Sequence, residues 1–363
     1  MQQKGIAVFP AKKIATKVKH QILESCLKAW GGIIINSNAG RQVRLAFVET
    51  CCGSGLYAPG DDAKPDVEYD AGSAIIGIET LNALLSHGRS VSRDVSGKAL
   101  FINENAEELE TLNATVAEHF ESKASYRLLP NRLCDVVKDV ALFCDRHFAF
   151  LLIDPYGPSA IPFSVVSKLV SLSRADCLIN FPYYSVHKWI GWLECDSHEG
   201  ATRLAIVDQL TNGDGWREIA LRNRQSGRAL EEAILDHYMD ELSKLGVGAM
   251  SIPMTFEDKK RTMYHLVFTS RSTAGLANAK RQLQQGEAYQ AALKGKRPTK
   301  TVFRSFIVFS DPGAGGHPHA AGTCVSARAD SSRMRTRIPS LAGAHISATL
   351  TQAFPISFAV GNT

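Results

Sequence analysis

The run Phe148-Ala149-Phe150-Leu151-Leu152-Ile153 is apolar at every position and stops abruptly at Asp154-Pro155-Tyr156-Gly157. A strand without polar alternation must be covered on both faces, which is the situation of a parallel sheet inside an α/β protein. The rest of the first 183 residues repeats the pattern. Strand-like runs at 43–51 (VRLAFVETC), 99–104 (ALFINE), SYRLLPN and ADCLINF alternate with helical spacing at 11–32, from Ser73 to Ser86, through EELETLNATVAEHF, from Asp135 to Cys144 and from Pro162 to Ser173. In the first helix Ile14, Val18, Ile22, Leu23, Leu27 and Trp30 keep helical spacing, and Gly31 and Gly32 are expected to stop it. The fold class that follows is α/β, with a doubly wound, mostly parallel sheet. Crossovers in such a sheet are right-handed, so ligand sites collect at the C-terminal ends of its strands.

The alternation divides the chain into an N-terminal helical segment (1–42), an α/β core (43–183), a helical insertion or cap (184–258), a closing strand and helix (259–295) and a basic low-complexity tail (296–363). Within the insertion, Leu230, Ile234, Tyr238 and Leu242 share one helix face. MYHLVFTS returns to strand character, and TVFRSFIVF, residues 301–309, is a further candidate strand. Of the formal charge of +5, the tail holds +6 (eight Lys and Arg against Asp311 and Asp330), leaving −1 for residues 1–295. The basic balance therefore belongs to the tail and is not a nucleic-acid footprint on the fold. That tail is either a basic arm that touches phosphate or an inert extension. With 45% hydrophobic residues, no apolar run near the roughly 20 residues of a membrane span, and eight cysteines without zinc spacing, the chain is not a membrane protein, a disulfide scaffold, a coiled coil or a disordered polymer. MQQKGIAVFPAKK lacks the apolar centre and cleavage site of a secretory signal, so the cytoplasm is the expected address.

Two constellations carry chemistry. In ETCCGSGLYAPG, Gly53 and Gly55 follow an apolar strand, where backbone must approach a ligand closely. Glu104, at the end of the next strand, is placed to accept hydrogen bonds from ribose hydroxyls. It lies about 50 residues past the glycines instead of roughly 20, and the third glycine of a dinucleotide loop is missing. A cofactor without pyrophosphate, such as S-adenosylmethionine, suits this loop better than NAD; a plain tight turn is the alternative. The second constellation, Asp154-Pro155-Tyr156-Gly157, resembles the Asp-Pro-Pro-Tyr motif of amino methyltransferases, where the acid holds an acceptor amine and the aromatic stacks on the base. A strand-terminating turn is the alternative here. Asn180, Tyr183 and Tyr184 at the end of the following strand either line an acceptor pocket or belong to the core. Cys51 and Cys52 read as small buried hydrophobes, and His187 and His198 have no partner at metal-ligand spacing.

Taken in order, KHQILESCLKAW, FVETCCGSGLYAPG, DAGSAIIGIETL, ALFINENAEELETL, LLIDPYGPSAIPFSVVSKLV, LINFPYYSVHKW and YHLVFTSRSTAGLANAKRQL resemble the three-Cys-motif partner proteins, bacterial and phage proteins with a methyltransferase-like Rossmann fold. The likeness spans about residues 10–285. In the family the glycine loop reads Asp-x-Phe-Ala-Gly-Pro-Gly; here Glu49 replaces the acid, Cys51 and Cys52 fill the Phe and Ala places, and Ser54 replaces the proline. The resemblance implies a partner with a three-cysteine motif, similar to radical S-adenosylmethionine enzymes, and does not imply a substrate.

Together these observations predict a methyltransferase-like enzyme. Gly53 and Gly55 pass over the methionine end of the cofactor, Glu49 faces its amino group, Glu104 holds the ribose and Asn131 meets the adenine edge. Asp154 and Tyr156 position an acceptor amine, such as that of a nucleobase, with Pro155, Asn180, Tyr183 and Tyr184 around it. The rival reading is an adaptor that keeps the fold without transfer activity and supports the three-cysteine partner. A third is a nucleic-acid-binding accessory protein acting through the tail.

Overall fold

A computed structural model describes residues 10–59, 70–119, 123–257, 261–295 and 304–306. In chain order the elements are α1 (Ile14–Ser37), β1 (Val43–Glu49), β2 (Leu56–Tyr57), β3 (Asp70–Ala71), α2 (Ser73–Ser90), β4 (Val95–Ile102), α3 (Ala106–His119), β5 (Ser125–Leu129), α4 (Leu133–Cys144), β6 (Phe148–Ile153), α5 (Phe163–Val170) and β7 (Ala175–Phe181). They continue with α6 (Tyr183–Trp189), α7 (His198–Leu210), α8 (Gly215–Asn223), α9 (Gly227–Ser243), β8 (Gly248–Thr255), β9 (Thr262–Ser270), α10 (Thr273–Leu293) and β10 (Arg304–Phe306). One sheet runs in the order β10-β8-β9-β7-β6-β1-β4-β5, and β2 pairs with β3 in a small ribbon. The five strands from β5 to β7 are parallel, whereas β9 runs antiparallel to both β7 and β8. This is the expected doubly wound sheet.

The apolar run that predicts β6 distributes itself by the period of two. Phe150 and Leu152 join the core under α1, α2 and α10, with Trp30 meeting Phe150 edge to face. Ala149, Leu151 and Ile153 face the opposite way, into the core formed with α4, α5, α7 and α9. Each such side chain, fully buried, contributes about 1.5–3 kcal/mol, so a single polar substitution within β6 disrupts one of the two cores.

The chain reverses direction across the sheet between β1 and β6. Past Glu49 the two neighbours of β1 are held by one loop: the Thr50 N–H donates to the Leu152 carbonyl of β6 (3.1 Å), and the Cys52 N–H donates to the Ile102 carbonyl of β4 (3.0 Å). A crevice at this switch point is where open α/β sheets bind ligands.

Three expectations need correction. Helix α1 does not stop at Gly31 and Gly32 but runs on to Ser37. Gly31 is there for packing: a Cβ on it would lie 2.3 Å from Leu84 Cδ1 of α2. The insertion is shorter than 184–258, because β8 belongs to the sheet; its Ser251 and Pro253 obscure the strand pattern, and Pro253 falls past the stretch paired with β10. The candidate strand at 301–309 is met at Arg304–Phe306, which pair with β8; the rest of that run and the tail beyond lie outside the described residues. Strand β4 ends at Ile102, so Glu104 sits in a bend just beyond it. Among the described residues no helix is long and apolar enough to cross a membrane, and the cysteines at described positions are free thiols.

Gly77 of α2 tests the contact between the first helical layer and the sheet. A Cβ there would lie 2.1 Å from the ring of Phe47, which is fully buried in β1. Gly77→Ala is expected to lower stability by about 1–3 kcal/mol, read as a lower urea midpoint at unchanged slope.

Candidate functional site

Glu49, Thr50, Asp154 and Asn180 come from three strand ends, β1, β6 and β7, and α1 adds Lys19 and His20. Lys19 Nζ forms an ion pair with Asp154 Oδ2, and both side chains are nearly buried (12% and 14% exposed). Asn180 Nδ2 donates to the other carboxylate oxygen at 2.7 Å. Burial alone would lower the Lys19 pKa, but the charge and hydrogen bond of Asp154, with smaller contributions from Tyr264 and Tyr57, raise it, so the ammonium stays charged. His20 is held far below the usual imidazole range, first by burial and then by Lys19 and Lys12, and is neutral.

Glu49 is buried. Ser73 Oγ donates to its Oε1, while Oε2 has no partner among the described residues. Burial pushes its pKa up to about 7, with Asp154 adding to the shift and Ser73 and Lys19 opposing it. Thr50 Oγ1, Asn180 Oδ1 and both ring nitrogens of His20 are likewise buried without partners among the described residues. Buried polar atoms are normally satisfied. Such a concentration around one crevice marks a surface prepared for a polar ligand.

The two loop glycines differ in purpose. Gly53 has open space where a Cβ would stand, so a ligand can lie against its backbone. Gly55 is needed by the chain itself: its φ of +85° is left-handed, and a Cβ would lie 2.5 Å from Leu112 Cδ1. Its carbonyl accepts from the Gly72 N–H at 2.6 Å, tying the loop to the start of α2. Burial raises the thiol of Cys51 to about 12 and raises Cys52 further, so neither is a thiolate at neutral pH.

Tyr156 departs from its expected place. Although 65% exposed, its hydroxyl is bound to the Glu108 carboxylate (3.0 Å) and faces the Cys52 carbonyl (3.3 Å). Asn103 Nδ2 donates to Glu108 (2.6 Å), to the Cys52 carbonyl and to Tyr156 Oη (3.3 Å). The ring therefore spans from β6 across the β1 loop to the end of β4, on the glycine-loop side and not beside the Asp154 carboxylate. Pro155, half-buried, is the pivot between them.

Of the remaining expected residues, Glu104 is exposed after β4 with no ion pair or side-chain hydrogen bond among the described residues. Asn131 is exposed in the turn after β5, its N–H bound to the Leu129 carbonyl. Tyr183 is buried against His265, and Tyr184 lies at the surface against Phe256. The structure thus joins Asp154, Asn180 and Glu49 and places Tyr156, Tyr183 and Tyr184 elsewhere. Sequence reasoning missed Lys19, His20, Asn103 and Glu108. Lys19 did carry a signal, a charge at helical spacing from the apolar Ala15, Ile22, Leu23 and Cys26; Glu108 carried none. Among the described residues no cluster of His, Cys, Asp and Glu has the makings of a metal site.

No family model matches the chain, and no curated protein is similar to it. Among solved structures it is similar to a Legionella pneumophila protein of family DUF519, at 11% identity and TM-score 0.45, covering 81% of this chain and 96% of that one. It is also similar to loganic acid methyltransferase with S-adenosylhomocysteine (7%, TM-score 0.27, 73% of this chain and 99% of that one). A third is the cyclopropane synthase MmaA2 from Mycobacterium tuberculosis (6%, TM-score 0.24, 66% and 82%). The sheet order and its parallel pairings by themselves give a doubly wound α/β fold. Likenesses this distant assign no activity, which has to be read from the chain's own residues.

Two measurements probe the site. Lys19→Met strands Asp154 in a nearly dry position and is expected to cost about 3 kcal/mol in urea unfolding, while Lys19→Met with Asp154→Asn recovers at least half of that. Glu49 has a folded-state pKa near 7 against an ordinary 4.5. Stability is therefore full below about 4.5 and is lost as pH rises through 7. Glu49→Gln is expected to remove that loss, gaining up to roughly 3 kcal/mol over wild type at pH 8.

Proposed function

We propose that the chain is a cytoplasmic S-adenosylmethionine-dependent methyltransferase that acts on an amine acceptor such as a nucleobase. The observation that carries this reading is the set of buried, unpartnered polar atoms at the switch point, Glu49 Oε2, Thr50 Oγ1 and Asn180 Oδ1, beside the open backbone of Gly53.

The residues present fit the cofactor. Glu49 Oε2 is free to accept from its ammonium group, Gly53 leaves room for its methionine end, and Glu104, unpaired among the described residues, would hold the ribose; Asn131 stands at the next strand end. When bound, S-adenosylmethionine supplies an activated methyl group that needs only in-line attack by a lone pair. The protein's task is then orientation and exclusion of water. Asp154, one oxygen paired with Lys19 and the other with Asn180, has further lone pairs to accept from an acceptor N–H. Asn180 Oδ1 offers a second acceptor beside it. Because Glu49 is near half-protonated at pH 7 in the free protein, binding of an ammonium group there releases a proton, and affinity rises with pH through 7.

A second reading, a non-catalytic adaptor, is favoured by one specific feature. Lys19 and Asn180 already engage both oxygens of Asp154, and Tyr156 is tied to Glu108 and Asn103 instead of facing an acceptor. In either reading the working partner is a three-cysteine-motif protein similar to radical S-adenosylmethionine enzymes, and co-purification of the two as a defined complex is its test.

Calorimetric titration with S-adenosylmethionine separates the two readings. The enzyme reading expects micromolar binding, weakened at least tenfold by Glu104→Ala and nearly unchanged by Asp154→Asn. Absence of binding by the wild type, alone and with the partner, would leave the adaptor.

A further inference from the structure

On the opposite face of β9 from Tyr264 lies a second polar group that the site above does not use. His265 Nε2 is 2.9 Å from Glu231 Oε1 of α9, and Thr262 Oγ1 donates to the same oxygen at 2.6 Å. Burial would raise the Glu231 pKa, but its hydrogen bonds with His265 and the Thr262 hydroxyl hold it below the usual carboxylate range. Glu231 is therefore an acceptor only, and Nε2 of His265 carries the proton. In the neutral ring, that tautomer leaves the lone pair on Nδ1.

That Nδ1 is buried and has no partner among the described residues. The ring of Tyr183 meets His265 edge to face at 5.9 Å, and its hydroxyl is also buried without a partner there. Burial, reinforced by Glu231, keeps the phenol protonated and so a donor. An unsatisfied acceptor and an unsatisfied donor thus stand on two touching rings, each nine-tenths or more buried (4% and 3% exposed). Left empty, both atoms forfeit their hydrogen bonds. Beside them at the surface are Tyr184 (40% exposed), in contact with Phe256 at 5.0 Å, and His187, whose ring lies 5.9 Å from that of Tyr183. Aromatic faces at the surface and a donor–acceptor pair beneath match a flat ring whose own edge carries the complementary pair.

We propose that Tyr183 and His265 read the amidine edge of an aminated heterocycle, adenine or cytosine, with Nδ1 of His265 accepting from the exocyclic N–H and the Tyr183 hydroxyl donating to the adjacent ring nitrogen. Glu231 and Thr262 are positioning residues that fix the tautomer of His265. This goes beyond the reading of the Asp154 site, and the binding requires no cofactor.

The test uses the full chain with ¹⁵N-labelled histidine, followed by long-range ¹H–¹⁵N spectra of the imidazoles, with His265→Gln providing the assignment. Adenosine or cytidine at millimolar concentration is expected to shift the His265 Nδ1 resonance in the direction of an accepted hydrogen bond. The N,N-dimethylated nucleosides, which lack the exocyclic donor, are expected to leave it in place. Tyr183→Phe, which keeps the ring and its packing, is expected to weaken the response about 3–10-fold. Three results would overturn the proposal: a proton on Nδ1 in the free protein, indifference of His265 to both nucleosides, as a single bound water between the rings would give, or an equal response to the dimethylated forms. Because no S-adenosylmethionine is added, failure here and failure of the calorimetric test are distinguishable.

Discussion

Lys19 reaches from the first helix to Asp154 at the end of the central strand, with little water to screen either charge. Such a pair contributes little net stability, because desolvation of both ions offsets much of their attraction. What it does supply is position. A helix packed on a sheet through Val18, Ile22, Leu23 and Leu27 can slide at small cost, since apolar contact is non-directional. An ammonium that must find one carboxylate cannot. The pair therefore fixes α1 against the strand ends, and with it His20 beside the crevice. Two further acids, Glu49 and Asp70, lie close enough to shift the same neighbouring tyrosine, Tyr57.

The same constraint explains how charge is distributed across the switch point. A single lysine cannot hold two carboxylates ionised in a dry site, and Lys19 is committed to Asp154. Glu49 gains only the Ser73 hydroxyl, and burial then drives its pKa toward neutrality. Two acids at adjacent strand ends, Glu49 closing β1 and Asp154 just past β6, thus differ: one is committed to the Lys19 pair, the other poised between protonated and charged. A cationic ligand group changes the second without disturbing the first.

Much of the fold was legible because its signals are local. An unbroken apolar run such as Phe148–Ile153 announces a central parallel strand, and the glycine loop and Asp154-Pro155-Tyr156-Gly157 announce strand ends at the ligand-binding edge. What was not legible depends on the third dimension. Gly31 reads as a helix stop, yet its lack of a side chain admits Leu84. Strand β8 hides behind a serine and a proline whose tolerance depends on which neighbours pair there. In Phe-Ile-Asn-Glu-Asn the acid drew the eye, but the strand ends one residue earlier than Asn103, and it is Asn103 that turns inward to join Cys52, Glu108 and Tyr156. Glu231 and His265 are 34 residues apart, and no spacing rule connects a helix face to a strand that pairs antiparallel with β7.

Tyr156 bears most directly on the choice between enzyme and adaptor. Its hydroxyl crosses from β6 over the β1 loop, so the ring lies over the glycine side of the crevice, close to Asn103, one residue before Glu104. A nucleoside held by Glu104 and passing Gly53 must run beneath that ring or displace it. Displacement breaks hydrogen bonds to an exposed phenol, which water replaces at small net cost. Tyr156 is already 65% exposed, and Asn103 and Glu108 keep their own bond when it leaves. The strap is therefore weak where it needs to be weak, and the unpartnered buried atoms at the strand ends gain partners only when something polar arrives. Such atoms cost stability while they stay unpaired. Their retention beside an open glycine and an unpaired acid favours a crevice that still binds.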